Sequence, residues 1–201
     1  HYFTNEQFKQ ALPVLQRILA TNKAEFGWTH PKLIGNYNNL ADCYMTLQQY
    51  MEAQAVLDES LKIVSFNFGA TSKHALEQKN RMILLSYKAQ RYPQAITQCR
   101  EVLKLLEENY PETHPSYLPV YRSLTRIHKT TRSYKLASEF SIKALKITEF
   151  ISGNKSLELL EELSTIINLY KIRNMPLQAI QFSERSVNIL ESNKDADQLS
   201  L

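Results

Sequence analysis

Residues 37–44 have the sequence YNNLADCY, and YMEA follows at residues 50–53. The alanine of YMEA belongs to a series that recurs every 42 residues, namely Ala11, Ala53, Ala95, Ala137 and Ala179. An aromatic residue stands three places before each of the first four alanines, and Pro176 takes that place before the last. A fixed period without insertions indicates a stacked array of repeats rather than one globular domain with a private active site.

Each 42-residue unit has the pattern of a helical hairpin. In residues 31–72, apolar side chains recur at three- and four-residue steps, which predicts an amphipathic helix A, at Leu33, Tyr37, Leu40, Ala41 and Tyr44. After a short turn at residues 47–49, a second periodic run from Tyr50 to Val64 predicts helix B. Gly69 ends this helix, since glycine tolerates a left-handed backbone. One hairpin cannot bury its apolar side alone, so we expect successive hairpins to stack.

The sequence predicts a repeat array over residues 1–191 and a polar C-terminal tail at residues 192–201. Residues 1–26 are predicted to form a helix B whose partner helix A is missing. The capping-box pattern Thr4-Asn5-Glu6-Gln7 indicates that this helix begins at about Asn5. Four full hairpins follow, at residues 27–68, 69–110, 111–152 and 153–191, which gives about nine helices. The missing helix A and the missing initiator methionine suggest that the chain is part of a longer protein or of a complex.

The segments at 37–44 and 50–53 resemble the tetratricopeptide repeat (TPR), which has a large–small–aromatic spacing on helix A and an aromatic-x-x-Ala start of helix B. The 42-residue period and the connectors Gly27-Trp28-Thr29-His30-Pro31 and Pro111-Glu112-Thr113-His114-Pro115 are similar to the repeats of kinesin light chains. The resemblance implies an all-α fold, a right-handed α-solenoid of stacked antiparallel hairpins. It also implies a non-catalytic scaffold or adaptor that binds protein partners.

Composition narrows the function classes further. The net charge of +4 is small, and lysine and arginine are spread along the chain, so we expect no nucleic-acid partner. No apolar run approaches the ~20 residues needed to cross a bilayer, and we expect no membrane insertion. The two cysteines, Cys43 and Cys99, fall on helix positions predicted to be buried. This pattern favours a reducing, cytoplasmic compartment, with a cytoskeletal or ciliary location as a narrower alternative.

No pattern of catalytic, metal-binding or cofactor-binding residues emerges, so the sequence predicts no enzyme, no metal site and no cofactor. His30 and His114 are expected to cap helices from equivalent connectors, and His128 to pack in the core. The adjacent Glu161 and Glu162 point to different sides of one helix, and solvation is the simplest expectation for both.

The A helices carry the predicted partner site. In tetratricopeptide arrays these helices line the inner, concave surface, and the register then selects ten residues: Asn38, Asn39, Asn80, Arg81, Lys88, Arg122, Arg126, Lys129, Asn168 and Lys171. The inward positions hold six basic residues and one acid, Asp42, so we expect an acidic partner segment. Asparagine amides pair with both groups of an extended peptide backbone. Arg122 and Arg126, one turn apart, are placed to hold one carboxylate or phosphate.

Several other functions are compatible with the same residues. In the first alternative, the basic surface is an ordinary solvated helix surface without a partner. In the second, the chain is a regulatory or substrate-binding arm of a larger enzyme. A third alternative is a structural subunit of a motor or ciliary complex, in which the convex surface and the ends make the contacts. Nucleic-acid binding is the weakest alternative.

Overall fold

A computed structural model of the chain describes residues 5–199, with side chains described for residues 6–194. Over this range the chain forms helices and no strand, in the order α1 (Asn5–Phe26), α2 (Leu33–Thr46), α3 (Tyr50–Phe68), α4 (Lys73–Lys88), α5 (Tyr92–Asn109), α6 (Tyr117–Thr130), α7 (Tyr134–Ser152), α8 (Leu159–Ile172) and α9 (Pro176–Leu199). The all-α repeat architecture predicted from the sequence is confirmed. Thr4 of the predicted capping box lies outside the described residues.

The described helices belong to two compact units, His1–Val102 and Leu103–Leu201, whose boundary lies within α5. In the first unit α2 packs against α1 and α3, and α3 packs against α4. In the second unit α7 packs against α6 and α8, and α8 packs against α9. Helix α9 continues to Leu199, through most of the segment that the sequence separates as a tail. The exact repeat boundaries stay a prediction.

Each unit has an apolar core that successive helices share. In the first unit two buried clusters join α1 to α4, formed by Leu19, Leu33, Tyr37, Leu40 and Ile63, and by Ala41, Met45, Ala53, Leu57 and Leu85. In the second unit a cluster joins α7, α8 and α9, formed by Leu145, Leu159, Leu163, Ile166 and Ile189. The period-setting alanines from Ala53 to Ala179 are buried. Their small side chains allow neighbouring helices to approach closely.

The turns between helices A and B repeat one backbone geometry. At the end of α2, the N–H of Gln49 bonds to the carbonyl of Tyr44, and the N–H of Gln48 bonds to the carbonyl of Met45. This pair of bonds is the Schellman motif, which requires a positive φ at the first residue after the cap. Gln48 has a φ of 61°, and the equivalent residues share this sign, at Gln90, Arg132 and Asn174.

The connectors between repeats use glycine, as the sequence predicts. Gly27, Gly69 and Gly153 end α1, α3 and α7 and have φ values of 85°, 89° and 86°. The ψ of Gly69 is 153°, so the residue lies beyond the left-handed helical region, in a region that is essentially restricted to glycine. Pro111 takes this place in the remaining connector, and its carbonyl accepts from the N–H of His114, as the carbonyl of Gly69 accepts from the N–H of Ser72.

Candidate functional site

In the first unit, α2 and α4 carry five of the residues predicted to bind a partner. Asn38 and Asn39 lie on α2, while Asn80, Arg81 and Lys88 lie on α4. Asn39 and Lys88 are exposed and the other three are half-buried. These residues are therefore on the two A helices of this unit, as the sequence places them.

Arg81 is already paired within the first unit. Its Nη1 atom lies 2.8 Å from Oδ1 of Asp42, the single acidic residue among the predicted inward positions. The two side chains are 34% and 51% exposed, so water screens the pair and its contribution to stability is small. The pair lowers the net positive charge that Arg81 presents to a partner.

Two asparagine amides of the first unit have an unsatisfied oxygen. The Oδ1 atoms of Asn38 and Asn80 are buried and have no hydrogen-bond partner among the described residues. These residues occupy the same register position, one repeat apart. Rotating an amide exchanges its oxygen and nitrogen, so either atom of these side chains is able to take the buried position.

In the second unit, α6 presents three cations, which we call the α6 basic cluster: Arg122, Arg126 and Lys129. All three side chains are exposed. They line one cavity of about 220 Å³ together with Thr165 and the adjacent acids Glu161 and Glu162 of α8. The structure therefore brings Arg122 and Arg126 to one site, the juxtaposition that the sequence predicts for holding an anion.

The sequence predicts that Arg122 helps to hold a partner's anion. In the structure Arg122 already binds a carboxylate of this chain, that of Glu162. The Nε atom of Arg122 donates to Oε1 of Glu162 at 2.7 Å, and Nη2 donates to the same oxygen. Glu162 is 4% exposed, whereas Arg122 remains 42% exposed. The expectation that both glutamates are solvated is correct for Glu161, which is 80% exposed, and wrong for Glu162.

The repeat register carried a signal for this burial. Glu162 occupies the same position in its repeat as Asn36, Gln78 and Val120. Gln78 and Val120 are buried, and Asn36 is half-buried. Because valine occupies this position in α6, the position faces the core. The repeat pattern therefore predicts that Glu162 is buried, whereas its charge alone predicts exposure.

The remaining predicted residues of the second unit lie on α8. Asn168 and Lys171 are exposed and are not among the residues that line the cavity beside the α6 basic cluster. The partner-binding set therefore stays a prediction as a whole. Within the second unit, the α6 basic cluster is the part that the structure gathers around one cavity.

His128 packs in the core, as the sequence predicts, whereas His30 and His114 bond to the backbone of the turn that precedes each helix. Nδ1 of His30 accepts from the backbone N–H of Lys32 at 3.2 Å, and Nδ1 of His114 accepts from that of Ser116 at 3.3 Å. His128 is buried and stacks on Phe140 with ring centroids 5.6 Å apart. No group of acidic, cysteine or histidine side chains able to hold a metal ion occurs among the described residues.

Both cysteines are unpaired and buried. Burial raises the pKa of the Cys99 thiol to about 12, and it also raises the pKa of the Cys43 thiol. Because the thiolate is the nucleophilic form, a thiol with a raised pKa is unreactive near neutral pH. The Sγ atom of Cys43 donates to the carbonyl of Phe8 at 3.2 Å, which ties α2 to α1.

No helix within residues 5–199 is both long enough and apolar enough to cross a membrane.

Comparisons with known proteins place the fold. A comparison with protein family profiles finds no match, and a comparison with curated protein sequences finds none either. Solved structures do match. The nearly identical TPR-like repeats of a candidate kinesin light chain from Podosopora anserina are 17% identical, with a TM-score of 0.71 over 94% of this chain and 90% of theirs. A variant of those repeats with one glutamine replaced by methionine is also 17% identical, with a TM-score of 0.72 over 95% and 90% of the two chains.

BtubC (BKLC) from P. vanneervenii is similar to a comparable degree. It is 19% identical, with a TM-score of 0.73 over 93% of this chain and 74% of that chain. The similarity spans nearly the whole chain in all three comparisons, although few residues are identical. The chain therefore has the fold of TPR-like repeats, the fold that its sequence predicts.

Proposed function

We propose that this chain is a non-catalytic interaction scaffold that binds an extended, acidic segment of a partner protein on its A helices. Solved proteins with this fold are similar in structure only, so the character of the partner is inferred from this chain's own residues. The α6 basic cluster is the observation that carries the proposal.

The α6 basic cluster suits an acidic segment for electrostatic reasons. Three exposed cations of one helix line a single cavity, and because Glu162 neutralises Arg122, the positive field there comes from Arg126 and Lys129. A carboxylate that enters beside Arg126 and Lys129 gains charge-assisted hydrogen bonds, which are stronger than neutral ones. Such charges increase the rate of association with an acidic segment, and this increase declines as salt is added.

The first unit supplies features that suit an extended backbone. An extended peptide exposes an N–H and a C=O at every residue. Asn39 is exposed on α2, and its amide offers such a backbone both a donor and an acceptor. An amide of this kind recognises a peptide backbone independently of its sequence.

Charge reversal tests the proposal. The probe is a fluorescein-labelled ten-residue peptide of alternating serine and glutamate, followed by fluorescence anisotropy. We expect the double variant R126E/K129E to bind this peptide at least about tenfold more weakly, because two attractive charges become repulsive. Raising the salt concentration should weaken wild-type binding and reduce the difference.

A matched control makes the same change in net charge elsewhere in the second unit. Lys135 and Lys146 are exposed on α7, a B helix, and the variant K135E/K146E keeps the α6 basic cluster intact. Equal losses in the two variants would show that the peptide responds to net charge alone. Unchanged binding by R126E/K129E would remove the α6 basic cluster from the site.

Two other roles fit the same fold and give different results when partners are captured. A regulatory or substrate-binding arm would be recovered with, or joined to, a catalytic polypeptide. A structural subunit of a motor or ciliary assembly would be recovered with that assembly, and its capture would be insensitive to R126E/K129E. Capture by the wild-type chain and by this variant, followed by mass spectrometry, separates these roles from the scaffold.

A further inference from the structure

The Arg122–Glu162 pair is an ion pair between two helices at the cavity of the second unit. It joins α6 to α8, and its acid is almost completely buried while its base is half in solvent. Both guanidinium contacts go to one carboxylate oxygen, Oε1. Glu161 stands farther off, with Oε2 3.9 Å from Nη2 of Arg122. The carboxylate of Glu162 thus binds the guanidinium group that a partner's carboxylate would otherwise bind.

The pair is incomplete as a structural contact. The second oxygen of Glu162, Oε2, is buried and has no hydrogen-bond partner among the described residues. A buried carboxylate oxygen without a donor is costly, and a buried ion pair is in general weak evidence for stability. The pair therefore contributes little to the stability of the folded state, and stability alone does not account for it.

The first unit has an uncharged counterpart at the same register. One repeat period separates Asn38 from Asn80 and Asn80 from Arg122, while Gln78 corresponds to Glu162. The amides Asn38 and Gln78 of the first unit thus hold the positions of Arg122 and Glu162 in the second. A charged pair at this register is a property of the second unit, where the α6 basic cluster lies.

We propose that Glu162 is an internal competitor for Arg122 and thereby sets how strongly the α6 basic cluster binds a partner's carboxylate. This inference rests on the proposed function and deepens it. With Glu162 in place, Arg122 is neutralised and an incoming carboxylate depends on Arg126 and Lys129. Glu162 is thus a specificity-determining residue that acts through Arg122, and it favours partners acidic enough to displace it.

Removing the charge of Glu162 tests this directly. The variant E162Q keeps the size of the side chain and an acceptor for Arg122 but loses the negative charge. We expect it to bind the serine–glutamate peptide about three- to tenfold more tightly than wild type, the range for one released charge at a partly exposed site. E162V is a second variant with the same expectation, since Val120 occupies this position in α6. Circular dichroism checks that both are folded.

Two further variants separate competition from a general change in charge. E161Q removes the same charge from the neighbouring, exposed residue, so it should tighten binding less than E162Q. In proteins that also carry R122Q, E162Q should increase the affinity for the peptide no more than E161Q does, because no arginine remains at position 122 for Glu162 to bind. A structural role for Glu162 would lower the melting temperature without producing this pattern.

Each outcome decides between the two proposals. If R126E/K129E abolishes binding but E162Q and E162V do not tighten it, the competition is refuted and the scaffold stands. Equal gains from E161Q and E162Q in both backgrounds would also refute it. If binding of the wild type, E162Q and E162V is undetectable at millimolar peptide, both proposals fail, whereas binding that appears only in E162Q and E162V supports the competition.

Discussion

Single residues of this chain show that backbone conformation follows the repeat even where residue type does not. Gln48, Gln90, Arg132 and Asn174 share a positive φ between 55° and 61°, 42 residues apart. Three of these residues give no hint of that conformation, because glycine and asparagine are its usual signals. The connector glycines do give the signal, and there the sequence predicts the geometry correctly. A positive φ is thus predictable from the sequence where glycine marks it. It is not predictable where another residue type adopts it in the folded chain.

The backbone conformation of Gly69 should make this residue difficult to replace. Its combination of a φ of 89° and a ψ of 153° is essentially closed to other residues, although a Cβ there would meet no atom within 4 Å. We expect G69A to lower the free energy of unfolding by about 1–3 kcal/mol through backbone strain alone. Urea unfolding followed by circular dichroism measures the change.

Gly35 is the matched control for this substitution in the same unit. It lies in the first turn of α2 without a positive φ, and a Cβ would also meet no atom within 4 Å. We expect G35A to stabilise the protein by about 0.5–1 kcal/mol, because glycine loses more backbone freedom in a helix than alanine does. A destabilised G35A, or a neutral G69A, would contradict the account of the connectors.

At the scale of helices, the 42-residue alanine series fixes how neighbouring elements pack. Ala53 lies in the first turn of α3, is completely buried and contacts the cluster that includes Leu57 and Leu85. We expect A53L to destabilise the protein by about 1–3 kcal/mol, because extra methylene groups overpack a dense core. Ala55, two residues along the same helix, is exposed, so A55L should change the stability by less than about 0.5 kcal/mol. Thermal and urea unfolding of both variants measure this contrast, and a tolerated A53L would show that α3 has room at this place.

The sequence predicts which helix carries the basic residues of the candidate site but not their contacts with the next repeat. Helical periodicity places Arg122, Arg126 and Lys129 on one helix, and the structure gathers them at one cavity. The partner of Arg122 was not predictable from α6 alone, because Glu162 lies 40 residues away on α8. Pairings between helices depend on the packing of one repeat on the next, which a periodic pattern does not specify. Glu162 shares its repeat position with the buried Gln78 and Val120, and this correspondence is the sequence signal for its burial.

At the scale of the molecule, the order of packing predicts how stability is distributed. The packing contacts described within each unit join helices that are consecutive along the chain. In such arrays stability is approximately a sum of repeat and nearest-neighbour terms, so a local defect has a local effect. Native-state hydrogen exchange resolves this distribution, since it reports the free energy of opening segment by segment.

Leu163 gives the sharpest test of this locality. It is fully buried in the cluster that joins α7, α8 and α9. We expect L163A to lower the opening free energy of amides in these three helices by about 2–5 kcal/mol, the cost of removing a buried leucine side chain. Amides in α1 to α3 should lose less, and L157A, at a residue that is 51% exposed, should leave both regions within about 0.5 kcal/mol of wild type. A uniform loss of protection in L163A would mean that the whole chain opens as one cooperative block, and the nearest-neighbour description would then be wrong for this protein.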